Sequence, residues 1–431
     1  MSNAVTQESF FELEQRINKA RDDTKQLYTQ INHIKAKNQD ADLISMAKNV
    51  PSLNSSPDIN KNTFSSMTNL KKIRTLKGHH NKIVDTKWSR DSSTVLSASQ
   101  DGFMLLWEAT TGLKKNAVIL DNQWVLSCAI SPNNRLVASA GLDNHCTIYK
   151  IQPNNMVQQN IVSIFKGHSC YISECEFISD NLILTASGDM TACKWDITKS
   201  AKVMEFSEHL GDILALAVPK QYDNTNSENM NLFATAGSDG HCLLWDSRQQ
   251  GSVQKFLVGD TDVGSLQFFS NNNAIASGSD DGLVRLFDLR ADCKISEYNL
   301  MDKQYHLKHL LPNNHKTKRG HYNHSLNSST SHAGTPLSSG RHNERNSLFS
   351  QDSTYDTEGV VSLDFSSSGR LMYTVYSNYG CIIWDTLKGE LVGSLQGHSN
   401  KTNKVKASNN GFGVLTGSWD ETINIWTPMS I

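Results

Sequence analysis

The chain has 431 residues, 38% of them hydrophobic, with 41 Lys and Arg against 43 Asp and Glu. That is enough for one large repeat-built domain or two or three ordinary ones, and the near-balance of charge excludes a global electrostatic signature of nucleic-acid or membrane binding. Eight scattered cysteines with no CxxC pair, no apolar leader and no long apolar run make a reducing, cytoplasmic compartment the expectation.

The first predicted element is a helix. Residues 5–46 contain no proline or glycine and are rich in Glu, Gln, Lys, Asn and Asp. Phe10, Leu13, Ile17, Ala20, Thr24, Leu27, Ile31 and Ile34 follow one another in alternating steps of three and four, the a/d seam of a coiled coil. A lone helix with so narrow a seam is marginal in water, so it needs another helix: a second copy of itself or a different small helical chain. The domain reading is an N-terminal coiled-coil helix over 1–46, a linker over 47–70 and a repeat domain over 71–431.

In the repeat domain an Asp or Asn stands six residues before an aromatic residue, again and again. The pairs are Asp101/Trp107, Asp143/Tyr149, Asp189/Trp195, Asp239/Trp245, Asp281/Phe287, Asn378/Trp384 and Asp420/Trp426. They recur about every 42–50 residues, except that the gap between Phe287 and Trp384 holds one ordinary repeat and about 55 additional residues. Each unit has four short β-type runs, such as KIVDTKWS, STVLSAS, FMLLWEA and KKNAVIL, parted by turn residues. Seven such units predict an all-β fold, a seven-bladed WD-repeat β-propeller. The KKIRTL run before Gly78 is expected to pair as the outer strand of the last blade and close the ring.

His79, His168, His209 and His398 lead into four of the units. With Asp101, Asp189, Asp239 and Asp420, and with Trp107, Trp195, Trp245 and Trp426, they read as a structural series bridged by a strand Ser or Thr, because buried polar groups need partners. Nothing catalytic remains: there is no nucleophile elbow, P-loop or zinc-ligand spacing, so no enzyme, cofactor or metal is expected.

Roughly residues 303–357 interrupt the link between the fifth and sixth blades. They hold 7 of the 15 histidines, and seven Lys and Arg against one Glu from Lys303 to Arg345. This polar insertion is expected to be disordered, with Thr335, before Pro336, as a candidate phosphorylation site. His306/His309 and His321/His324 lack cysteine and a fixed scaffold and are not read as a metal site.

Set beside one another, the seven units differ at two positions. Before the turn Asp or Asn stand Gln100, Leu142, Gly188, Ser238, Asp280, Ser377 and Trp419. Where the first strand of a unit begins stand Lys82, Trp124, Tyr171, Asp212, Asp262 and Lys401. In a propeller these positions share one face, so two Trp, a Tyr and several charges gather on one rim, which is the composition of a protein-binding hot spot.

The stretches RTLKGHHNKI, LSASQDGFMLLW, QWVLSCAISP, GLDNHCTIY, ASGDMTACKWDI, GSDDGLVRLFDLRAD and TGSWDETINIW resemble the β subunit of heterotrimeric G proteins, over nearly the whole chain and including the heptad helix. The polar insertion followed by EGVVSLDFSSSGRLMYTVY is similar to the fungal mating-pheromone form. The resemblance implies a coiled coil with a lipidated γ subunit, which carries the dimer to the cytoplasmic face of the plasma membrane, so that membrane contact is indirect. It also implies that the narrow face of the propeller binds GDP-loaded Gα. Once receptor-driven nucleotide exchange frees that face, it binds effectors such as the scaffold proteins of a kinase cascade, and no nucleic acid is involved.

Carried over position by position, the Gα and effector surface is Lys82, Trp124, Leu126, Leu142, Asn144, Tyr171, Asp212, Leu214, Asp262, Asp280 and Trp419. Three features depart from the family: Val84 where an aromatic residue is common, Phe103 where Lys is frequent, and KTNKVKASNN, which is more polar than a normal inner strand. The alternative function is a WD-repeat scaffold or adaptor outside G-protein signalling.

Overall fold

The computed structural model describes residues 19–20, 70–152, 157–220, 231–303, 358–411 and 413–428. Lys19 and Ala20 are helical and exposed. The other seam residues (Phe10, Leu13, Ile17, Thr24, Leu27, Ile31 and Ile34) lie outside the described residues, as do Thr335 and the insertion from 304 to 357.

The propeller expected from the repeat is the fold observed. Seven sheets, antiparallel apart from Val157–Gln158, which adds in parallel to the edge of the first, each contribute an inner strand: Ile83–Trp88, Val125–Ile130, Ile172–Ser179, Ile213–Ala217, Ser265–Phe268, Val360–Phe365 and Thr402–Ala407. Position in the blade decides composition. Second strands such as Thr94–Ser99 and Ala274–Gly278 are buried on both faces and read as continuous runs of small and apolar residues. An outer strand such as Ile161–Lys166 alternates exposed and buried residues toward its end, because one of its faces meets solvent.

Blade 7 is completed from the start of the domain. Leu70–Lys77 pairs antiparallel with Thr422–Pro428, with Leu76 opposite Ile423 and Thr75 opposite Asn424, and the Thr75 hydroxyl donates to Asn424 Oδ1 at 2.8 Å. Leu76, Ile83, Trp107, Leu415 and Ile425 then pack in one buried cluster across the seam between the last blade and the first.

Neighbouring inner strands are laced together by side chains. Asp85 accepts from the Cys128 N–H at 3.0 Å, Ser127 from Cys175 at 3.2 Å, Glu174 from Leu216 at 2.9 Å and Asp364 from Ala407 at 2.8 Å. Each of these bonds runs from one blade to the next.

The polarity of Thr402–Ala407 has its reason at the axis. Lys404 donates to Glu174 at 3.1 Å and lies 3.7 Å from Asp85, while Lys87 donates to Glu176 at 3.1 Å and lies 3.6 Å from Glu174. Burial alone would raise the Glu174 carboxyl, but Lys404 and Lys87 outweigh it and hold the group down to about 2.

Candidate partner-binding rim

One backbone bond repeats in all seven blades. The residue before the turn Asp or Asn donates its N–H to the carbonyl of the residue leading into the inner strand. Gln100 bonds Lys82, Leu142 bonds Trp124, Gly188 bonds Tyr171, Ser238 bonds Asp212, Asp280 bonds Asp262, Ser377 bonds Gly359 and Trp419 bonds Lys401, with lengths from 2.9 to 3.2 Å. The two variable positions of each repeat therefore sit side by side, seven times around one face.

The turns beneath them are held by buried polar chains. In blade 1 the Trp107 indole N–H donates to Ser97 Oγ at 2.9 Å, Ser97 Oγ lies 2.8 Å from His79 Nε2, and His79 Nδ1 lies 2.8 Å from Asp101 Oδ2. With the imidazole neutral and protonated on Nδ1, every donor in this chain has an acceptor. Blades 3, 4 and 7 repeat it with His168, Thr185, Trp195 and Asp189, with His209, Thr235, Trp245 and Asp239, and with His398, Thr416, Trp426 and Asp420. Burial pushes His168 and His398 below the usual imidazole value although each faces a carboxylate. For Asp189 and Asp420 burial would raise the carboxyl, yet bonds from Thr191 and Ser169, and from Thr422 and Ser399, hold it low.

The blades without His use other means. Arg285 bonds Asp281 at 2.7 Å and Ser279 at 2.9 Å in blade 5. In blade 6 Trp384 keeps its bond to Thr374 at 3.0 Å, and in blade 2 the Tyr149 hydroxyl accepts from the Asp121 N–H at 3.0 Å.

On this frame the rim presents large side chains with little beneath them. Trp124 is 53% exposed, Leu142 51% and Trp419 40%. The Lys82 and Lys401 ammonium groups lie 5.0 and 5.8 Å from the Trp419 ring, within reach of cation–π attraction. Tyr171 is half-buried and donates to Asp212 Oδ2 at 2.8 Å; burial, then this bond, push its hydroxyl up to about 12. Glycine is required at 188, where a Cβ would stand 2.5 Å from the Tyr171 ring. Asp262 and Asp280 are neighbours at the surface, and partial desolvation by the surrounding rim, followed by repulsion from Asp262 and Asp281, raises the Asp280 carboxyl.

Leu126 and Leu214, each the second residue of its inner strand, are half-buried, as is Asn144, whose amide donates to the Ser169 carbonyl at 3.2 Å. Of the departures, Val84 is half-buried and its carbonyl accepts from Asn403 at 2.6 Å, while Phe103 packs against the cluster between blades 7 and 1.

Two further apolar side chains belong to this face and escape the blade comparison. Leu210, after His209, is 79% exposed. Met190, after Asp189, is 44% exposed and held at a φ of 66°. The same left-handed position is Gly102, Asn144, Gly240 or Gly282 in other blades, so a bulky apolar residue there is an outlier. Moving the comparison one residue along the turn would have found it.

Two family models match the chain. One described as G protein beta WD-40 repeat protein covers residues 13–303, and one described as WD domain, G-beta repeat covers 389–427. A guanine nucleotide-binding protein subunit beta of Saccharomyces cerevisiae is 49% identical over 418 residues, spanning 97% of this chain and 92% of the relative. The subunit of the same description from Oryza sativa subsp. japonica is 32% identical over 373 residues, 83% of this chain and 84% of its own. Subunit beta-5b of Danio rerio is 32% identical over 361 residues, 83% of this chain and 76% of its own.

Proposed function

The chain belongs to the β-subunit family of heterotrimeric G proteins, WD-repeat propellers that act as signalling scaffolds without catalysis, and from that membership we propose that its rim holds a GDP-loaded Gα subunit and passes to effectors when Gα leaves. The residues proposed to make the contact are Lys82, Trp124, Leu126, Leu142, Asn144, Tyr171, Asp212, Leu214, Asp262, Asp280 and Trp419. The observation that carries the reading is Trp419, an exposed indole with two ammonium groups at its ring, at a turn position where the other blades carry smaller residues.

The rest of the proposal follows from the sequence. The 10–34 heptad seam takes a γ subunit, and lipid on that partner carries the dimer to the cytoplasmic face of the plasma membrane. The pathway is a pheromone response leading to a kinase cascade, on the likeness of 358–376 and of the insertion to the fungal form. Thr335 is the proposed site of phosphorylation.

Trp419→Ala tests the rim. A central aromatic anchor is worth about 2 kcal/mol, so the variant should bind Gα·GDP about 30-fold more weakly while pairing with γ as before. Unchanged Gα·GDP affinity, measured on the purified dimer, would remove the rim assignment. Identification of a small prenylated helical chain co-purifying with the protein tests the seam, and self-association through residues 5–40 would contradict it.

A further inference from the structure

We propose that the end of the central channel opposite the rim binds a small phosphate-class oxyanion, with Lys406 at its centre and Lys220 and Arg90 at its sides. The inner strands end there around a cavity of about 170 Å³. About 10–15 Å³ of such space is enough for one water, so the cavity admits a phosphate together with several waters. Its charged lining is Lys87, Arg90, Lys220 and Lys406 against Glu176 and Asp364, an excess of two cations.

The carboxylates are already engaged. Glu176 accepts from Lys87 at 3.1 Å, and Asp364 accepts from Lys220 at 2.5 Å and from two backbone N–H groups. Lys406 instead donates to the amide oxygen of Gln267 at 3.3 Å, a neutral acceptor at long range. Burial and the neighbouring Lys87 and Lys404 ammonium groups press it down to about 8, and Asp364 and Glu174 only partly oppose them. A half-buried ammonium without a matched anion is costly, and one that faces an open cavity recruits a mobile counter-ion. Lysines supply point charges with rotatable donors and Arg90 a planar fork, a donor set suited to tetrahedral oxyanions. The fixed carboxylates of Glu176 and Asp364 in the same wall disfavour densely charged polyphosphates, which leaves small anions.

This site is distinct from the rim. Lys406 lies five positions beyond Lys401 and Lys87 five beyond Lys82, roughly 17 Å along an extended strand. The inference stands whether or not the rim binds Gα.

The test is a titration of inorganic phosphate into the full-length chain, in the complex it purifies with, against chloride at matched ionic strength and pH 7, read by calorimetry and thermal unfolding. Phosphate is expected to bind and to raise the unfolding temperature. Lys406→Met leaves no carboxylate without its partner, so it should fold and lose about tenfold or more in phosphate affinity. Val203→Ala, on the exposed outer strand Ala201–Phe206, should bind phosphate as the wild type does. No phosphate binding by the wild type, equal affinity in Lys406→Met, or a loss in Val203→Ala would each overturn the proposal.

Discussion

Glu174 and Trp419 show how differently single residues disclose themselves. Trp419 stands out in the sequence because six other copies of the same turn can be set beside it, and the counterpart of its backbone bond to Lys401 recurs at every copy. Glu174 has no such frame. Its partner Lys404 is 230 positions away in another blade, so the lysines of Thr402–Ala407 look misplaced until the ring brings the two strands to a common axis. The pH consequence follows from the shift. The Glu174 carboxyl lies at about 2 in the folded chain and at an ordinary 4.5 when unfolded. Its contribution is therefore complete above pH 4.5 and is lost as the pH falls toward 2. Glu174→Gln should cost about 3 kcal/mol at pH 7, the usual result of stranding a buried partner, and should flatten the acid limb of the stability curve. Denaturation midpoints from pH 7 down to pH 3 would check this, and a constant difference between variant and wild type across that range would contradict it.

Among the elements, Leu70–Lys77 has the largest effect for its size. It is an outer strand, a class that in this protein is largely exposed, yet Leu76 is 2% exposed and joins the cluster between blades 7 and 1. Leu76→Ala should cost about 2–4 kcal/mol, as core truncations do, and should lower hydrogen-exchange protection in blades 7 and 1 ahead of blades 3 and 4. Uniform loss of protection would argue that the strand is not what holds the ring shut. The sequence discloses this strand by arithmetic alone, since seven repeats leave three strands at the end and one at the beginning. It does not disclose the lacing of inner strands by Asp85, Ser127, Glu174 and Asp364, because each of these side chains is bonded to a blade other than its own.

At the scale of the whole molecule, the links between successive blades run over the rim face. Six of them are five to seven residues long, from an outer strand to the next inner strand, whereas the link between Asn299 and Val360 is 60. The ends of that long link are anchored like the short ones, with the Val360 N–H donating to the Ser279 carbonyl at 3.1 Å. Replacing 304–357 with a short polar linker should therefore leave the ring folded, with γ and Gα binding retained. Loss of a soluble dimer on gel filtration would show that the segment is structural. The fold is legible in the sequence because its period is repeated seven times. The charged axis and the cavity at its far end are not, because they arise only where strands from all around the ring converge.

The pairing of Thr75 with Asn424 joins residues 349 positions apart. On a ribosome adding about 5–20 residues per second, roughly 20–70 s separate the two halves of blade 7. During that interval Leu70–Lys77 has no sheet to join, while earlier blades can already form in order. When Thr422–Pro428 emerges, its edge is open to any strand within reach, and contacts of such separation form slowly. Biosynthesis of this protein thus has a vulnerable period set by chain length, and whatever shelters those two edges until they meet controls how much of it reaches the signalling pool.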